Sequence, residues 1–166
     1  EGDDYWTRDD KLQIQVDFLE SNPEYSACSH GLRVIDYHDK IIKNEQSKIS
    51  YDLSKEKMWK GWCMKSASIV CINFSKTDIV YQLMNLDISG DNLIPVVLGY
   101  IGPAYFLSEI SPACDCRKGP LGTWSSLSDY ERKKTILMNH NAILYYHLRR
   151  GHLPAFLNTI LLTDSY

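Results

Sequence analysis

Ser128-Asp129-Tyr130-Glu131 opens, and Arg149-Arg150-Gly151 closes, the stretch whose reading decides the fold. A serine followed three residues later by a glutamate is a capping box. The serine oxygen accepts a free amide hydrogen of the first helical turn, and the glutamate reaches back to the amide of Ser128. Asp129 and Glu131 place negative charge at the positive pole of a helix, and Arg149 and Arg150 suit its negative pole. Gly151 is free to take the left-handed conformation that closes a helix. The two ends agree, so the pattern predicts one helix over 128–150.

Inside this helix Ile136, Leu137, Ile143, Leu144 and Leu148 recur at helical spacing, and Ala142, Tyr145 and Tyr146 add apolar surface on another side. The C-terminal half is apolar nearly all round and is expected to be buried on more than one face. His140 and His147 fall within the stripe, two turns apart. They read either as metal ligands or acid–base groups, or as hydrogen-bonded core residues. Two histidines without a nearby carboxylate favour the core reading.

Working outward, the 166 residues suit one domain, and 44% hydrophobic residues are enough for a core. The net charge of −3 argues against a protein that coats nucleic acid, because that affinity comes largely from neutralising phosphates. No run of about 18 apolar residues predicts a transmembrane helix. No secretory leader is recognisable in the stretch that opens Glu1-Gly2-Asp3-Asp4. The five cysteines are odd in number and widely spread, unlike a small secreted disulfide scaffold, so a cytoplasmic or other reducing compartment is expected. The sequon Asn73-Phe74-Ser75 would matter only in a secreted chain.

Residues 1–10 read as an acidic arm that folds back with Trp6 over the sheet, and residues 11–166 as a single α+β domain. Leu12, Ile14, Val16 and Phe18 alternate with polar residues, which predicts a half-buried strand ended by Asn22-Pro23. Leu32 to His38 reads as a second strand, and 39–60 as an exposed strand or loop. The run Ala67-Ser68-Ile69-Val70-Cys71-Ile72 suits a central strand, which a turn at 75–78 joins to a return strand over Ile79–Leu86. Ser89-Gly90-Asp91-Asn92 reads as another turn. Leu93 to Ile101 reads as an edge strand because of Pro95, and Ala104 to Ile110 as a short helix. Residues 112–122 read as a loop. Pro154 suits the first position of a last helix, with a terminal strand as the competing reading. Strands first and helices afterwards imply an α+β fold: a mainly antiparallel β-sheet with a long C-terminal helix and a second short terminal helix packed on one face.

Chemistry-bearing motifs are few. Cys28-x-His30 with Cys114-x-Cys116 makes the best metal set, four ligand types that suit zinc, although one-residue spacing is not the usual knuckle. No cofactor other than such a zinc ion is implied. No residue pattern pairs a cysteine with a histidine base, and Asp36, His38 and Asp39 are explained equally well by a turn or an acid–base cluster. Gly-x-Ser-x-Gly, His-Glu-x-x-His and Walker patterns do not occur, which weighs against an enzyme.

The eleven tyrosines and four tryptophans supply amphipathic rings of the kind that serve interfaces. Met58-Trp59-Lys60-Gly61-Trp62 is the expected exposed aromatic surface, so Trp59, Lys60, Trp62 and Trp6 are the candidate binding residues. The function this composition favours is a non-catalytic interaction module that binds a partner protein or self-associates, scaffold- or matrix-like. In size and order of elements the chain is loosely similar to small matrix-type proteins of negative-strand RNA viruses, with no shared motif. The alternatives are an aromatic-stacking nucleic-acid or nucleotide binder, and a metal- or cysteine-dependent enzyme.

Overall fold

The computed structural model describes residues 4–71, 90–119 and 123–163. In chain order these form β1 (Tyr5–Trp6), α1 (Lys11–Ser21), β2 (Ala27–His30), β3 (Leu32–Ile35), β4 (Ile41–Glu45), β5 (Tyr51–Leu53), α2 (Lys55–Met58), a 3₁₀ turn at Ser66–Ser68 and β6 (Val70–Cys71). There follow α3 (Gly90–Gly99), β7 (Ala104–Leu107), β8 (Cys114–Arg117), the one-turn α4 (Thr123–Ser126), α5 (Asp129–Arg149) and α6 (Leu153–Thr163). The fold is α+β, with the long helix and a second helix at its C-terminal end.

The strands make two four-stranded sheets, ordered β1-β8-β3-β4 and β5-β7-β2-β6. Each has a parallel pair at its centre, β3 with β8 and β2 with β7, flanked by antiparallel neighbours. The sheets are therefore mixed, although antiparallel pairings outnumber parallel ones among the described strands. The chain passes from one sheet to the other at Gly31, between β2 and β3. Gly31 is needed there: a Cβ would stand 2.6 Å from the Glu45 carbonyl oxygen and 2.9 Å from Gln46 Cα. Its amide donates to Ser111 Oγ at 2.7 Å, which ties the crossing to the segment between β7 and β8.

Several elements differ from expectation. Residues 11–21 are helical, not a strand. Lys11, Gln15 and Leu19 are buried, an i, i+4, i+8 series, while Leu12 is 45% exposed. The alternation of aliphatics coexists with a helical period, and tertiary packing selects the second. The Gln15 amide donates to Ser68 O at 2.9 Å, so a residue assigned to a wet face is a buried connector. The Asn22 side chain donates to Phe18 O at 2.7 Å and occupies a carbonyl of the last turn.

Residues 93–99 are likewise helical, with Pro95 inside α3 and Leu93, Val96, Val97 and Leu98 fully buried. Gly90–Asn92, expected as a turn, is the start of this helix. Ala104–Leu107 is the strand β7 rather than a helix, and Cys114–Arg117 forms β8 inside the expected loop. Among the described residues of the expected central strand, Val70–Cys71 form the strand β6, which pairs at the edge beside β2. The expected turn at 75–78 and return strand at 79–86 lie outside the described residues. Tyr5–Trp6 of the arm forms the edge strand β1, and Trp6 remains 54% exposed rather than covering the sheet.

The long helix matches its sequence closely. Ser128 Oγ accepts from the Glu131 amide at 3.3 Å, and the Glu131 carboxylate accepts from the Ser128 amide at 2.7 Å. Gly151 adopts φ 66°, and the His152 amide donates to His147 O at 3.0 Å, closing the last turn. The buried face differs from the expected stripe: it carries Asn139, His140, Ala142, Ile143, Tyr146 and His147, while Leu137 and Leu148 are exposed. Its apolar partner is α3, since Ile143 and Tyr146 form one cluster with Leu93, Val96 and Val97. α5 is thus packed on another helix. Met58, Leu53, Ala27, Ala104 and Leu98 form a second cluster that joins α2 and α3 to the β5–β7–β2 sheet.

Candidate functional site: an aromatic cleft at the sheet crossing

Where the chain crosses between sheets, residues on either side of Gly31 open onto a cleft of about 320 Å³. That volume is at the lower end of the range for small-ligand sites. Ser29, His30 and Leu32 come from the crossing itself, Glu45, Gln46 and Ser47 from the end of β4, Tyr51 and Phe106 from β5 and β7, and Trp62 to Lys65 from the segment after α2.

The apolar wall follows from strand register. Tyr51 and Phe106 are direct cross-strand partners, and their rings stack with centroids 4.8 Å apart and planes 11° apart. Trp62 is placed by two successive left-handed residues, Gly61 at φ 71° and Trp62 at φ 50°. A tryptophan in that region is strained, and such strain persists where surrounding structure enforces it. The enforcement is visible: a Cβ on Gly61 would stand 3.0 Å from Asn92 O and 3.1 Å from Ile143 Cδ1, so backbone 61 is pressed between α3 and α5. The Trp62 ring rests against His140 of α5, with centroids 4.6 Å apart, and the side chain is left 44% exposed.

The polar lining is short of cations. Glu45 accepts from Lys43 at 2.8 Å, and that hydrogen bond holds its carboxyl below the ordinary value, so it is ionised. Lys65, whose charge also acts on Glu45, is the one lysine or arginine lining the cleft among the described residues. His30 is 3% exposed, and burial pushes its imidazole down to about 4, so the ring is neutral. Its Nδ1 lies 2.7 Å from the Gly31 carbonyl oxygen, which can only accept. The proton therefore sits on Nδ1, and Nε2 is a bare acceptor with no hydrogen-bond partner. The arrangement offers flat rings, a carboxylate, an amide and hydroxyls.

The expected binding residues are not brought together. Trp62 lines this cleft, but Trp59 and Lys60 line another, of about 340 Å³, with Glu56, His152 and Thr159. The Trp59 ring lies tilted against His152, with centroids 4.4 Å apart and planes at 55°, and leans against Gly99, where a Cβ would meet its Cδ1 at 3.0 Å. Trp6 stands at the edge strand with the Lys11 ammonium 4.2 Å from its ring centroid. The Trp59–Trp62 segment is thus a partition between two cavities rather than one aromatic surface.

The expected zinc set does not assemble either. Among the described residues no three His, Cys, Asp or Glu side chains group to hold a metal ion. Cys28 is buried in a cluster with Leu19, Leu107 and Ile110, and its Sγ lies 3.6 Å from both the side-chain nitrogen and the backbone oxygen of Gln15. Burial pushes its thiol up to about 12, and that of Cys63 up to about 11. Asp36 accepts from the amides of His38 and Lys40, which is turn chemistry.

Tyr51, Phe106 and Glu45 were missed in the sequence because their meeting depends on pairing between distant strands. Gly31 was the available signal, a glycine between two strand-like runs that marks a close backbone approach.

No family model matches the chain. It is 39% identical over 72 residues to uncharacterized proteins of Mycobacterium bovis and of two strains of Mycobacterium tuberculosis. The matched segment is 42% of this chain and 20% of each of theirs, so the chain spans about a fifth of the length of the curated relatives it matches.

Proposed function

We propose that this chain binds a small, uncharged, polyhydroxylated ring, a sugar unit, in the cleft beside Gly31. One observation carries the reading: the half-exposed Trp62 ring and the Tyr51–Phe106 pair stand over a lining of Glu45, Gln46, Ser29 and Ser47. A saturated ring presents C–H bonds to an aromatic face and hydroxyls to carboxylate, amide and hydroxyl groups. A nucleotide would ask for an arginine fork or a cluster of lysines around its phosphates. The cleft instead places one lysine beside an ionised glutamate.

Saturation-transfer NMR with separate panels of neutral saccharides and nucleotides tests the reading. A saccharide binds, and Trp62→Ala weakens it about tenfold or more, the equivalent of about 1.4 kcal/mol. Binding of nucleotides alone, or saccharide affinity indifferent to Trp62→Ala, overturns the proposal.

A second reading, self-association, rests on a different surface. Leu137, Tyr145 and Leu148 share the outer face of α5 and are 56%, 50% and 60% exposed. Leu153 and Leu157 of α6, one turn apart, are 60% and 49% exposed. Residues of this kind at helical spacing suit a second copy of the same helix pair. Light scattering then gives a mass above one chain, which Leu148→Lys returns to the monomer; a monomer at high concentration removes this reading.

A further inference from the structure

We infer that Cys114 and Cys116 are a modification site, a dithiol that hydroperoxides oxidise to a reversible disulfide. The two residues are i and i+2 on β8, so their side chains leave the same face of the strand. With one residue between them on that face, the two thiols are neighbours along the strand. Cys114 is fully buried and Cys116 is half-buried, which leaves a route to the pair for a small oxidant.

A cation waits beside them. Lys11 is 0% exposed, and its ammonium has no hydrogen-bond partner. Its Nζ sits 4.2 Å from the ring centroid of Trp6, the residue paired with Cys114 across the ladder. A buried ammonium without a counter-ion is costly, and a neighbouring thiolate removes that cost. The neighbouring Cys116 thiol and, against burial, the charge of Lys11 lower Cys114, whereas Cys116 is raised by the Cys114 thiol, by burial and by Asp4. The pair is thus divided into a nucleophile and a resolving thiol.

The chemistry balances on these groups and one hydrogen peroxide. The Cys114 thiolate attacks a peroxide oxygen; an S–O bond forms, the O–O bond breaks, and the departing hydroxide takes a proton from the Lys11 ammonium to leave as water. The Cys116 sulfur then attacks the sulfenic sulfur; an S–S bond forms, the S–O bond breaks, and the second hydroxide takes the Cys116 proton. Two thiol sulfurs are oxidised by two electrons in all, the peroxide is reduced to two waters, and Lys11 is left as a neutral amine.

In an extended strand i and i+2 lie about 6.6–6.8 Å apart, the upper limit for a disulfide. Closure therefore puckers β8 and loosens its pairing with β1, so the bond is readily reduced again.

Peptide mass mapping after graded hydrogen peroxide tests the inference on the intact chain. A Cys114–Cys116 disulfide forms first, dithiothreitol reverses it, and Cys28, Cys63 and Cys71 remain thiols. Cys116→Ser stops at a sulfenic acid on Cys114 that dimedone traps, and Lys11→Met slows the reaction at least about tenfold while Lys11→Arg, which keeps the charge, does not. Oxidation spread evenly over the five cysteines, or sulfinic acids at both positions without a disulfide, overturns the proposal. So does a rate equal in Lys11→Met and the unaltered chain.

Discussion

His147 donates from Nε2 to the backbone carbonyl oxygen of Trp59, 3.0 Å away. That oxygen can only accept, so the proton sits on Nε2, and Nδ1 accepts the hydroxyl of Tyr100 at 2.7 Å. One imidazole thus fastens α5 to the segment that forms the partition between the two clefts, and to the end of α3. The ring is fully buried, and burial, opposed by the Trp59 hydrogen bond, holds it below the ordinary histidine value.

Acid should loosen this fastening. His147 and His30 are both depressed in the folded chain, His30 from 6.5 to about 4. Below pH 6.5 the unfolded chain therefore binds more protons than the folded one. The stabilisation is fully present above that pH and is lost as pH falls toward the folded values. His30 alone then contributes roughly 3 kcal/mol that disappears between pH 7 and 4. Urea denaturation at a series of pH values checks this. His147→Gln and His30→Asn should each flatten the dependence between pH 6.5 and 4; an unchanged slope in both contradicts the assignment.

Ile143 is the pivot of the α3–α5 contact. It is 0% exposed and packs among Leu93, Val96, Val97 and Tyr146. Ile143→Ala should cost about 2–5 kcal/mol, the range for emptying a packed aliphatic site. Ile143→Val should cost about 0.5–1.5 kcal/mol. Equilibrium denaturation of the pair gives both numbers, and near-equal values would mean that the site collapses around the smaller side chain.

Gly61 couples that core to the cleft. Its φ of 71° strains any residue with a side chain, and a Cβ there would press on Asn92 O at 3.0 Å and Ile143 Cδ1 at 3.1 Å. Gly61→Ala should destabilise by about 1–3 kcal/mol and shift Trp62. Part of the clash is with the methyl that Ile143→Val removes, so the double substitution should cost less than the sum of the two. Strict additivity in the double-mutant cycle would show that the Ile143 contact is not what confines residue 61.

The parts of the fold legible in the sequence are those set by local chemistry. Ser128 and Glu131 announce the start of α5 because both partners of the capping box lie within one turn. Gly151 announces its end because a left-handed residue is a local need. Leu12 to Phe18 reads as a strand because its apolar residues fit a period of two, while the helix follows the period that Lys11, Gln15 and Leu19 obey. For Leu93 to Leu98, buried except for the half-buried Ile94, the run carries no period to read. The cleft was the least legible part, since Tyr51 meets Phe106 only through register and Trp62 is placed by α3 and α5. Nothing local in Trp59-Lys60-Gly61-Trp62 says that Trp59 and Trp62 face different cavities.

Gln15 is where a polar residue was assigned to solvent and found in the interior, and it makes the sharpest test of α1. Its amide donates to Ser68 O at 2.9 Å and reaches Cys28 O at 3.4 Å, joining α1 to the 3₁₀ turn and to β2. Its own carbonyl oxygen is buried without a partner. Gln15→Ala removes the donor from Ser68 O and opens a cavity, so it should cost about 2–3 kcal/mol. Gln15→Met keeps the volume and removes the orphaned oxygen together with the donor, so it should cost about 1 kcal/mol or less. Were residues 11–21 a half-wet strand, Gln15 would face water and both substitutions would fall within about 0.5 kcal/mol of the unaltered chain. Thermal or urea unfolding of the two variants separates these outcomes.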